Sequence, residues 1–260
     1  MKLSISNIAW DAANDEEMYA FLTAHGFSGL EIAPTRVFPE RPYDHLAEAK
    51  DFAARLEKKY GLAISSIQSI WYGRNESMFG SEAEKQALID YTKQAVLFAE
   101  SMGCRNLVFG CPRNRNLPGK EHYPAALDFF RTLGDFALAH GTAIAIEPNP
   151  PIYHTNFINT TSEAFQICRE IDRAGIKVNV DLGTMIYYEE SLDLIRDNLE
   201  WVNHIHVSEP MLALIRQREI HREVLRFPYS KWISLEMKNP GELESVRSVI
   251  RYFEGCAHAI

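Results

Sequence analysis

The chain has 260 residues, 46% of them hydrophobic, four cysteines and a formal net charge of -8. That length suffices for one large domain or two small ones with a full core, and the acidic balance argues against a broad electrostatic grip on nucleic acid or anionic lipid. Cys104, Cys111, Cys168 and Cys256 show no CxxC or CxxxC spacing, so neither a zinc knuckle nor a disulfide framework is indicated and reduced thiols are expected. The opening "MKLSISNIAWDAANDEE" turns acidic at once, unlike a secretory signal. No run approaches the roughly 18 apolar residues of a membrane helix. A cytoplasmic protein with no membrane or nucleic-acid partner is expected.

In chain order, short β-rich runs alternate with stretches of helical period. "LSISNIA" precedes "DEEMYAFLTAHG", "GLEIAP" precedes "DHLAEAKDFAARLEKKYG", "LAISSIQS" precedes "SEAEKQALIDYTKQAVLFAESMG", and "NLVFGC" precedes "PAALDFFRTLGDFALAHG". Four further strands are predicted at "TAIAIE", "KVNVDL", "VNHIHVS" and "WISLEM". Gly26, Gly61, Gly103 and Gly141 close the quoted helical stretches where C-caps fall. Eight strands with about as many helices predict a single (β/α)8 TIM barrel over residues 1–260, close to the ~250 residues usual for that fold. The helix between strands seven and eight has the weakest pattern. No linker or low-complexity segment divides the chain.

In such a barrel the C-terminal ends of the strands open into one mouth, where active sites of this fold lie. The predicted ends carry Glu147 on strand five, Asp181 on strand six, His206 on strand seven and Glu236 on strand eight, spaced by 34, 25 and 30 residues. Each alone has a plain structural reading. Glu147 could cap a loop, Asp181 could serve a turn, His206 and His204 could be satisfied core histidines, and Glu236 could pair with Lys238. Together they point to a cation, because three carboxylates in a small volume repel one another and resist ionisation. One divalent metal ion is expected, with manganese first and magnesium, cobalt or zinc as alternatives, since an oxygen-rich set with one imidazole suits all four.

The segments "IEPNP", "NVDLGT", "HIHVSEP" and "SLEMK" resemble, in order, spacing and strand context, the metal-binding segments of the xylose isomerase-like barrels. That superfamily includes sugar isomerases, epimerases such as D-tagatose 3-epimerase, inosose dehydratases and endonuclease IV. The resemblance covers essentially the whole chain. It implies Glu147, Asp181, His206 and Glu236 as metal ligands, Glu147 and Glu236 as the acid/base pair, a small carbohydrate substrate, and a homodimer or homotetramer. Residues 65 to 79 and "LVFGCPRNR" also resemble a sugar-phosphate isomerase/epimerase branch.

Two departures from the family pattern bear on chemistry. Thr184 stands three residues after Asp181 where many members carry histidine, and a hydroxyl is a poor substitute for an imidazole ligand. Gln68 and Cys111 occupy the ends of earlier strands where nuclease members place histidines, which argues against a trinuclear site. Glu219 and His221 in "REIHREV" loosely resemble a further metal-binding segment and are read either as a second ion site or as a helical surface pair.

The activity implied is a metal-dependent sugar or sugar-phosphate isomerase or epimerase that moves a proton through an enediolate. The alternatives are a metal-dependent dehydratase of an inosose or keto-sugar, a non-catalytic sugar-binding protein, or a nuclease. Glu31, Gln68, Asn149 and Thr184 are expected near the mouth, where each could contact sugar hydroxyls or stabilise its own loop. Arg113 and Arg115 could hold a phosphate or carboxylate, or be solvated loop charges. Trp10 and Trp71 could stack on a sugar face or pack in the core.

Overall fold

The computed structural model describes residues 2–259. Eight parallel strands close into a barrel in sequence order: β1 (Lys2–Ser6), β2 (Gly29–Ile32), β3 (Ala63–Ile67), β4 (Leu107–Phe109), β5 (Ile144–Ile146), β6 (Ile176–Asp181), β7 (Val202–Val207) and β8 (Trp232–Leu235). Closure is made by β1 and β8, which pair from Lys2 with Trp232 to Ile5 with Leu235. Each predicted strand run therefore forms, and the single (β/α)8 barrel expected from alternation is the fold observed.

The long helices lie where period and punctuation place them. Asp15–Ala24, Leu46–Tyr60, Glu82–Ser101 and Tyr123–Ala139 follow the first four strands. Glu82–Ser101 begins with a capping box in which the Ser81 hydroxyl accepts from the Glu84 N–H and the Glu84 carboxylate accepts from the Ser81 N–H, so two otherwise unpaired donors are satisfied reciprocally. Thr160 and Glu163 do the same for Thr161–Ile171. After β6 and β7 the helices shorten to Leu182–Tyr188 and Glu219–Leu225, and loop replaces the missing turns. The chain is closed by the amphipathic helix Leu243–His258.

Alternation along the last three strands determines what fills the lumen. Side chains two apart share a face of a strand, and Asn179 with Asp181, His204 with His206, and Ser234 with Glu236 all reach one another or Glu31 and Glu147 inside the barrel. The intervening Val178, Val180, Ile205, Val207, Ile233 and Leu235 are buried in the hydrophobic core. Several polar groups in the lumen are paired within the barrel: Ser4 with Ser65 at 2.6 Å, Gln68 with Ser6 at 2.8 Å, and Asn106 with Ser66 at 2.9 Å. Burial without such partners would cost each group on the order of 1–3 kcal/mol.

One helix approaches the barrel without a side chain between. A Cβ on Gly175, in the turn before β6, would lie 2.0 Å from the Gly134 carbonyl oxygen of Tyr123–Ala139. Backbone cannot yield there as a flexible side chain would. Gly175→Ala is expected to lower stability by about 1–3 kcal/mol, the usual range for overpacking, and chemical denaturation followed by circular dichroism would reveal it. An unchanged midpoint would show that the turn relaxes freely.

Candidate metal centre at the barrel mouth

Glu147 and Glu236 are each the first residue beyond a strand, yet their N–H groups still donate to the neighbouring strands, Glu147 to the Phe109 carbonyl at 3.0 Å and Glu236 to the Val207 carbonyl at 2.9 Å. The sheet thus fixes the backbone of both acids while their side chains enter the mouth. Asp181 ends β6 and lies directly opposite His206 on β7. One ligand atom from each of Glu147, Asp181, His206 and Glu236 lies within 4.8 Å of all the others, and all four residues are buried.

His206 is the hub. Its Nδ1 lies 2.8 Å from Glu147 Oε1 and 3.2 Å from Glu236 Oε2, while its Nε2 lies 2.7 Å from Glu31 Oε2. Burial alone would neutralise this imidazole, but the charges of Glu236 and Glu31 and hydrogen bonds to Glu147 and Glu236 outweigh it and hold its pKa well above the ordinary value. Burial raises the pKa of Glu147, Asp181 and Glu236, with mutual carboxylate repulsion adding to it and His206 partly offsetting it. Glu31, equally buried, is instead held low by His206 and His204. His204 is pulled down to about 3 by burial and remains neutral, with its Nε2 2.8 Å from the Ser234 hydroxyl.

The residues fit a divalent ion. Three carboxylates and one imidazole converge on one point, the protonated imidazole supplies the sole positive charge among them, and Glu31 faces its far nitrogen as metal-bound histidines commonly require. Asp181 is immobilised by the Ser208 hydroxyl and, at 2.8 Å each, by the Thr184 N–H and hydroxyl. Glu147 accepts from Asn179 at 2.8 Å and Asn149 at 3.2 Å. Glu236 has no such amide partner among the described residues, and of the three carboxylates it is the least constrained. Beside them opens a cleft of about 170 Å³, onto which Gln68, Asn149, Tyr153 and Leu212 also face. Gly110, at the end of β4, makes room for Glu147: a Cβ there would lie 2.9 Å from Glu147 Oε2.

Several expectations for the mouth change on inspection. Glu31 has no exposure and lies beneath His206, away from any sugar. Thr184 is wholly buried, its hydroxyl 2.8 Å from Asp181 Oδ2 and 2.9 Å from the Pro148 carbonyl, either of which can accept its one proton, so it braces Asp181 from within the wall. Arg115 is also 0% exposed; its guanidinium donates to the Glu147 carbonyl at 3.0 Å, Asn149 Oδ1 at 2.9 Å and the Ile158 carbonyl at 3.3 Å. It clamps the segment after β5, and burial draws its pKa down to about 10. Arg113 is exposed and faces a neighbouring cavity. Trp10 and Trp71 are core residues whose indoles donate to Asp15 and Thr92. Glu219 pairs with Arg222, whereas His221 is buried against the Tyr252 hydroxyl, so these two do not converge on a second ion. Gln68 and Asn149 do line the cleft, as expected. Asn179, Ser208 and Tyr153 were not anticipated. The first two sit two residues from Asp181 and His206, a parity that carried the signal, whereas Tyr153 comes from a loop.

Two outcomes follow from this geometry. Binding of manganese should displace the proton from His206 and compete with protons on the carboxylates, so titration calorimetry in buffers of different ionisation enthalpy should register proton release, with affinity falling from about pH 8 to pH 6. Because Glu31 orients the imidazole, Glu31→Gln should weaken manganese binding by about tenfold or more. Equal affinity in the variant would remove Glu31 from that role.

The comparisons with known proteins agree with the fold. The 3-keto-D-glucoside 4-epimerase of E. coli superposes with a TM-score of 0.77 at 20% identity, covering 98% of this chain and all of that one. The D-psicose 3-epimerase of Clostridium cellulolyticum, solved with D-tagatose, gives a TM-score of 0.74 at 16% identity over 100% of this chain and 96% of that one. The IOLI protein, solved with a zinc atom, gives 0.71 at 17% identity over the same shares. No curated protein sequence is significantly similar. Residues 19–256 match the family model described as xylose isomerase-like TIM barrel, and the chain belongs to that family.

Proposed function

We propose that the protein is a divalent-metal-dependent isomerase or epimerase of a sugar or sugar derivative, with Glu147 and Glu236 as its acid/base pair. The observation that carries this reading is the pairing of two buried glutamates, both raised in pKa by burial, around one imidazole at the mouth of the barrel. The neighbouring epimerases support the substrate class by analogy, on the shared fold alone.

A divalent ion held by Glu147, Asp181, His206 and Glu236 would supply charge stabilisation for the oxygen that becomes negative when a proton leaves the adjacent carbon. The protein's own groups divide the remaining work. Asp181 accepts from the Ser208 hydroxyl on one oxygen and from the Thr184 N–H and hydroxyl on the other, so it has a fixed place and its remaining lone pair is suited to the ion and not to proton transfer. Glu236 lines the cleft without an amide partner and is free to take or return a proton at carbon. Glu147 also lines the cleft, anchored through its second oxygen by Asn149. Burial brings both glutamates nearer to neutral pH, where a carboxylate serves as both base and acid. A glutamate on each side of the substrate suits epimerisation, since one can withdraw the proton and the other deliver one to the opposite face. Gln68 and Asn149, at the cleft wall, are placed to meet hydroxyl groups.

The test is chelator-sensitive uptake of deuterium at carbon, followed by NMR with manganese-loaded protein and a panel of ketoses, aldoses, inososes and their phosphates. Glu147→Gln and Glu236→Gln should each lower exchange at least a thousandfold while the far-ultraviolet circular dichroism stays unchanged. Such losses correspond to about 4 kcal/mol of transition-state stabilisation. Wild-type exchange in either variant would refute its assignment, and loss of a β-hydroxyl in the product would indicate dehydration instead.

A further inference from the structure

Beside the central cleft lies a second cavity of about 440 Å³, and the two share Ser69, Cys111 and Pro112 as a common rim. The central cleft alone, at about 170 Å³, is smaller than the roughly 300–1,000 Å³ of most small-molecule sites, whereas the outer cavity lies within that range. A substrate confined to the carboxylates would leave the larger space empty.

The outer wall is built to receive something polar with an apolar face. Tyr72 is 70% exposed there, although the adjoining Trp71 is packed edge-on against Phe109 and Phe129 in the core. Arg113 lines the same cavity with no carboxylate within ion-pairing distance among the described residues, while Arg74 beside it is matched by Glu76 and stacked on Tyr91. An aromatic plane with an unmatched five-donor guanidinium is a combination that recognises a sugar ring, by its C–H face and by its oxygens.

The rim adds an independent sign. Ser69 and Cys111 have φ of 54° and 46°, the left-handed region that residues with a side chain seldom occupy and that recurs at ligand clamps. Both stand at the boundary between the two cavities. Ser69 follows β3 and Cys111 follows β4, so the two chain segments that border both cavities each carry one such residue.

We propose that this cavity is a second substrate subsite, so that the compound processed is a two-ring glycoside whose reacting ring sits at the carboxylates and whose other ring stacks on Tyr72 with Arg113 donating to its oxygens. This rests on the sugar-directed reading of the central site. It predicts that substrate length, and not only the stereochemistry of the reacting ring, governs recognition.

The test is ligand-observed NMR titration of the magnesium-loaded protein with glucose and with α- and β-linked glucose disaccharides, on wild type, Tyr72→Ala and Arg113→Ala. Both side chains are exposed, so neither substitution should disturb folding. At least one disaccharide should bind ten times or more tighter than glucose, and each variant should erase most of that difference while leaving the affinity for glucose within about twofold. Equal affinities for one and two rings, no binding of any disaccharide, or a preference that survives both substitutions would overturn the subsite. Deuterium exchange into free ketoses reads the central site separately: its persistence alongside any of those results would overturn the subsite alone, whereas its absence across the panel would overturn the central reading.

Discussion

The mouth of this barrel is organised by one electrostatic constraint: three carboxylates are withdrawn from water within a few ångströms of one another, and a cation must stand among them. In the protein alone that cation is His206, whose ring is gripped at both nitrogens by acids. The histidine is held by Glu31 from the opposite side of the lumen as well as by Glu147 and Glu236, and His206 with His204 holds the Glu31 carboxyl below its ordinary range. Each of these charges is buried only because it is paired, since an unpaired buried charge is destabilising by several kcal/mol. A divalent ion held by Glu147, Asp181, His206 and Glu236 would place its positive charge where the three carboxylates converge.

The barrel wall supports this arrangement in layers. Below the ligands a ring of small hydroxyl and amide groups, Ser4, Ser66, Asn106, Asn179 and Ser234, replaces the branched aliphatic filling that usually occupies a barrel of this size. These side chains are short, have few rotamers to lose on folding, and hydrogen-bond within the lumen, Asn106 to Ser66, Asn179 to Glu147 and Ser234 with His204. They give the lumen a polarity in which charged residues can be held rigidly. Outside the wall the same strands present valine, isoleucine and leucine to the helices, so the fold gains its hydrophobic stabilisation on one face and its chemistry on the other.

That division explains which parts were legible in the sequence. The strand runs and the four long helices were readable because period and capping residues coincide, as at Ser81 with Glu84. The four residues that converge at the mouth were readable because each stands at or next to the end of a strand. The partners of those residues were harder to assign. Glu31, Thr184 and Arg115 are polar residues near strand ends, which is all that position along the chain conveys; whether such a side chain meets substrate or another residue depends on contacts made across the lumen. Arg115 looks like a loop arginine in "CPRNRN" and is instead the largest fully buried side chain. Nothing local distinguishes it from Arg113, two residues earlier and open to solvent. The short helix between β7 and β8 was weakly patterned for a related reason, since segments that approach the mouth are shaped by the site and not by a repeating pattern.

Gly110 carries a consequence of a different kind. It sits at the end of β4 without a side chain, and the space a methyl group would fill is occupied by Glu147 Oε2. The reach of the acid on β5 is therefore written into the neighbouring strand, in a position with no chemistry of its own. Among proteins of this architecture, a larger residue at the equivalent place would oblige the glutamate to adopt another rotamer and so to approach its substrate from another angle.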